Sequence, residues 1–124
     1  MTRGPPPEDA FKEAAAIAGR RGTLRWFDRA DRDSGHFAIF GIDFVSIVGI
    51  RRARRIHCCP SEILWEFANT IAGLKCAVLT RQVLRELWLC SYHGTWRFFR
   101  ITDSDLAELD LEGRLVTGPG PAPS

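Results

Sequence analysis

The stretch Ile42 to Leu74, IDFVSIVGIRRARRIHCCPSEILWEFANTIAGL, decides how this chain folds. An acid, Asp43, opens an apolar run to Gly49, arginines crowd the turn at 51 to 55, and a second short run ends at Cys59. Short apolar runs bounded by charge read as strands. Pro60 suits the first turn of a helix, where its missing N–H is not needed, and Glu62 beside it favours the positive end of the helix dipole. Ile63, Leu64, Phe67, Ala68 and Ile71 then recur at helical spacing, so the helix is expected to run to Ala72, with Gly73 as its left-handed stop. The expected order is strand, arginine turn, strand, helix.

Upstream, Glu8 to Arg20 reads as a first helix, with acids early, arginines late, and Phe11, Ala14, Ala15 and Ala18 on one face. Gly22 ends it. Thr23 to Ala30 suits a half-buried strand and Asp31 to Gly35 a turn. His36 to Gly49 is strand-like but interrupted at Gly41, which implies a bulge or two pieces. Downstream, Lys75 to Thr80 returns to the sheet. VLRELWLCSY and TWRFFRI flank His93 and Gly94 as a hairpin, and Asp103 or Ser104 caps a short helix through Leu109. The fold class is therefore α/β, a single-domain mixed β-sheet flanked by helices in the order αβββαββ. Residues 1–7 form a disordered lead, 8–110 the domain and 111–124 a flexible tail.

Composition fits one packed core: 45% of the 124 residues are hydrophobic, with eight Phe, four Trp and one Tyr. The net charge of +2 does not identify a nucleic-acid binder, because placement of charge matters more than its sum. Only Lys12 and Lys75 are lysines, so positive charge rests on guanidinium groups, which fork onto phosphate or carboxylate. Arg51, Arg52, Arg54 and Arg55 concentrate that charge at one turn and are the candidate nucleic-acid-binding residues. No run approaches a membrane span and no secretory leader is legible, so a cytoplasmic protein is expected. Trp88, Trp96 and Tyr92 alternate as sheet-packing aromatics do, whereas Trp65 lies off the helix stripe and is expected to be exposed.

The Asp at the start of the second strand and the third strand running into a helix resemble the PD-(D/E)XK nuclease superfamily. DFVSIVG from Asp43, RRIHCC from Arg54 and RELWLCSYHGTWRFFRI from Arg85 carry the resemblance. It implies a divalent-metal-dependent endonuclease acting on DNA, with Mg²⁺ held by Asp43 and Glu13. The third-strand acid position falls on His57 and the lysine position on Cys59. Imidazole and thiol are poor substitutes for Mg²⁺ ligands and for an ammonium, so the active site reads as degenerate at these positions. The catalytic set under the resemblance is Asp43, Glu13 and His57, with Glu62, Glu66 and Lys75 as replacements from the adjacent helix. Zinc is disfavoured because Cys90 and His93 form the one close pair among the remaining ligand types. A non-catalytic scaffold that uses the same fold to bind a protein partner, or its own copy as a homodimer, is the alternative.

Overall fold

The computed structural model describes residues 8–27, 36–76, 83–103 and 105–116. Expectations for residues 1–7, 28–35, 77–82, 104 and 117–124, including the turn at Asp31 to Gly35, lie outside the described residues. In chain order the elements are α1 (Glu8–Gly19), β1 (Thr23–Trp26), β2 (Phe37–Phe40), β3 (Val45–Arg52), α2 (Pro60–Glu66), α3 (Ala68–Cys76), β4 (Val83–Cys90), β5 (Trp96–Ile101) and β6 (Leu106–Leu109). The six strands form one mixed sheet in sequence order. All neighbours are antiparallel except β3 and β4, which run parallel with Val45 opposite Val83 and Arg52 opposite Cys90. A parallel pair needs a long crossover, and α2 and α3 lie in it.

Helices cover both faces of the centre, so β3 and β4 carry almost continuous apolar sequence. Val48, Ile50, Trp88 and Phe98 pack with Ala14 and Ala18 of α1 on one face. Leu87, Leu89 and Phe99 pack with Ile63, Phe67, Ile71 and Leu74 on the other. Gly49 marks a close approach, since a Cβ there would stand 3.1 Å from the Leu74 side chain. The interruption at Gly41 is a turn between two strands, closed by the Gly41 N–H donating to the Phe44 carbonyl at 2.9 Å. The buried His36 extends this hairpin: its own N–H donates to Val48, and its Nδ1 accepts the Ile50 N–H at 2.9 Å.

Three expectations are corrected. Residues 54 to 59 form turns and no strand. Ala53 takes the last bond at this end of the sheet, from its N–H to the Cys90 carbonyl, and β4 offers no further partner. Second, the helix after Pro60 breaks at Phe67 (φ −106°, ψ 28°) and resumes through Gly73 to Cys76, so Lys75 is helical where a return to the sheet was expected. The break rotates the buried stripe, so Ala68 is exposed and Leu74 fully buried. Third, Leu106–Leu109 is a strand, because it completes the outer edge of β5 in place of forming a helix. Beyond it the chain turns back at Asp110. Leu115 bridges Leu109, and the Val116 N–H donates to Glu108.

Candidate functional site

Parallel pairing of β3 and β4 brings their carboxyl ends together, and the segments that leave them form the walls of one cleft. In open α/β sheets this is where the crossover leaves room for a ligand. One wall is the turn segment after β3, contributing Arg54, Arg55, Ile56, His57 and Cys58. The other is the β4–β5 turn, with Ser91, Tyr92, His93 and Thr95, and Glu62 of α2 closes one side. The space between them is about 510 Å³.

Each wall is fixed by side-chain hydrogen bonds. Ser91 Oγ accepts the backbone N–H groups of His93 (3.1 Å) and Thr95 (3.0 Å), and Gly94 takes the left-handed conformation at φ 86°. This satisfies the tight turn predicted at His93-Gly94. The facing wall is held by Arg97 of β5, whose Nη1 donates to the carbonyls of Ile56 (2.7 Å) and Cys58 (2.6 Å). Glu108 of β6 grips the same guanidinium with two bonds, at 3.0 and 2.9 Å, and the group lies 4.8 Å from the Phe99 ring centroid. The hydrogen bond and charge of Glu108 hold the Arg97 pKa above its ordinary value, although burial opposes this.

The four arginines of the turn divide into two pairs. Arg51 is drawn into the scaffold, with Nε donating to Thr70 Oγ1 (3.2 Å) and Nη1 to the Ile50 carbonyl (2.8 Å). Arg52 lies over the Tyr92 ring at 4.4 Å from its centroid. Arg54 and Arg55 are exposed on the cleft wall. Arg55 approaches Glu62 at 3.8 Å, but with 71% and 52% of the side chains exposed this pair is weak and screened by water.

The carboxylates expected to share Mg²⁺ are not brought together. Asp43 lies exposed in the β2–β3 turn, at the start of β3. Glu13 accepts the Trp96 indole N–H at 2.9 Å, and Trp96 pairs with Cys90 at the far end of β4. The intervening strand spans roughly 20 Å, so one ion shared by these two residues does not fit. His57 lies on the cleft wall, far along the sheet from Asp43. Lys75 Nζ donates to the Asp103 carbonyl at 3.1 Å. Among the described residues, no group of three or more His, Cys, Asp or Glu is placed to hold a metal.

The thiols differ by environment. Burial, then the charges of Glu62 and Glu66, push Cys58 up, and burial pushes Cys90 up. The hydrogen bond with Ser61 (3.1 Å), then that of the Glu62 backbone, pulls exposed Cys59 down. Cys90 is buried while His93 is exposed, so the close ligand pair of the sequence does not converge.

A polar cluster that the sequence did not reveal lies under α1. The carboxylate of Glu86, on β4 and fully buried, accepts two bonds from Arg21 (2.9 and 2.6 Å), one from Ser46 (2.6 Å) and one from the Trp88 indole (2.8 Å). Burial alone would raise its pKa. The Arg21 hydrogen bond and charge, with the Ser46 and Trp88 bonds, outweigh burial and hold it below the ordinary value. Its oxygens are committed to these donors, which marks a structural role.

No helix among the described residues is long and apolar enough to cross a membrane. Compared with family models, curated proteins and solved structures, the chain has no significant match.

Proposed function

We propose that this chain is a DNA-binding protein with a nuclease-like frame and a degenerate catalytic site, and that it grips phosphates at the cleft beyond β3 and β4. The carrying observation is the pair of exposed guanidiniums, Arg54 and Arg55, on a wall braced by Arg97. Exposed arginines on a rigid wall form bidentate phosphate contacts without first being released from the scaffold. The first helix, the strand that begins just after Asp43 and the helical connection into a parallel strand support the nuclease-like frame, while the strand that the resemblance puts at residues 54 to 59 is replaced by turns. The acid and lysine positions of the resemblance fall on His57 and Cys59, in the turns beyond β3, which supports the degenerate reading.

Binding of labelled DNA should weaken steeply as salt rises, with log affinity falling linearly in log salt. Arg54→Ala with Arg55→Ala should reduce that slope by about two, one for each phosphate contact removed. Affinity and slope unchanged in the double variant would remove the cleft from the reading. A second reading, a subunit that binds a protein partner or its own copy, draws on Phe40 and Ile42, which stand exposed at the opposite end of the sheet. Association there would be insensitive to salt and lost in Ile42→Ser.

A further inference from the structure

We infer that the cleft selects single-stranded DNA, with unpaired bases stacking on Trp65 and Tyr92 while Arg54 and Arg55 hold the phosphates; this rests on the DNA-binding reading above. Trp65 is 83% exposed, although it belongs to a helix whose Ile63 is fully buried. The other tryptophans have evident packing roles. Trp88 is buried, Trp96 is bonded to Glu13, and Trp26 packs edge-on against Phe11 and Phe37. Trp65 stands three residues after Glu62, which lines the cleft, and residues at that spacing are neighbours on a helix surface.

Tyr92 supplies the second aromatic from the opposite wall, with 52% of its surface exposed. The Arg52 guanidinium against its ring helps fix the orientation, so less freedom is lost when a base arrives. Two aromatics beside a basic cleft make a stacking platform. Duplex DNA keeps its base faces stacked on one another, whereas a single strand offers them to such a platform without regard to sequence. A cleft of about 510 Å³ is of the size that accepts a small ligand or part of a strand. Glu62 opposes the phosphates, and its carboxylate competes for Arg55. Neutralising it should therefore strengthen binding.

The test measures affinity of the full chain for three labelled probes of equal length: oligothymidylate, the same strand without bases, and a duplex. Oligothymidylate should bind tightest, and removal of the bases should weaken binding about ten-fold. Trp65→Ala should bring oligothymidylate down toward the baseless strand while leaving the latter unchanged, and Trp65→Phe should restore most of the difference. Glu62→Gln should tighten binding to both strands. Equal affinity with and without bases, or an unaffected Trp65→Ala, overturns the stacking inference. Tighter duplex binding that Arg54→Ala with Arg55→Ala abolishes also overturns it but leaves the DNA-binding reading intact. Failure of all three probes to bind overturns both.

Discussion

The Arg21–Glu86 pair shows how much one residue depends on its partner. Both side chains are withdrawn from water, at 5% and 0% exposure, so neither charge can be solvated if the other is removed. Arg21→Met should cost about 3–5 kcal/mol, the range for leaving a buried charge unpaired. Adding Glu86→Gln should recover part of that loss, because the amide oxygen can accept from Trp88 while its NH2 donates to the Ser46 hydroxyl, with no buried charge left. Chemical denaturation of the three proteins measures both effects. The pair also sets an acid limit. Because the folded pKa of Glu86 is depressed, its contribution is fully present above the unfolded value, about 4.3, and is lost as pH falls through the folded value. Glu86→Gln should flatten that limb of the stability curve, and an unchanged acid limb would assign it to other carboxylates.

At the scale of elements, the segment after β3 has no strand to pair with, and its position depends on one arginine from β5. Arg97→Ala leaves the Ile56 and Cys58 carbonyls without that donor and Glu108 without its clamp. It should destabilise the fold by about 2–3 kcal/mol and raise hydrogen exchange in the cleft wall more than in β4. Equal protection across both would show that Arg97 is not what holds the wall. Across the cleft, Gly94→Ala should cost about 1 kcal/mol from backbone strain alone, since an added Cβ meets nothing within 4 Å. Local signals made several of these elements legible in the sequence. The spacing of Ala14 and Ala18, Pro60 at its helix start and the His93-Gly94 turn each read correctly from neighbouring residues. The segment at 54 to 59 did not, because its apolar pattern suits a strand while its actual state depends on where β4 ends and on Arg97. Nothing near residue 56 signals a partner 41 positions away.

For the whole molecule, the decisive fact is which groups the sheet brings to the same end. Trp65, expected to be exposed, is exposed, but the division of the arginine turn depends on tertiary contacts with Thr70 and Tyr92 that composition cannot reveal. The parallel pairing of β3 with β4 places Arg54, Arg55, His57 and Tyr92 around one cleft and leaves Asp43 at the other end. A metal-dependent nuclease needs its carboxylates gathered at one ion beside the scissile phosphate, and the basic wall and Asp43 are separated by the length of a strand. DNA binding should therefore persist in a chelator and show the same salt slope with and without Mg²⁺. Branched, nicked and linear DNA incubated with Mg²⁺ or Mn²⁺ should remain intact. Cleavage that is stimulated by the ion and abolished by Asp43→Ala would contradict this, because Asp43 would then have to act with carboxylates outside the set that the sequence nominated. Cleavage that survives Asp43→Ala would also contradict it, and would exclude that residue from the catalytic metal site.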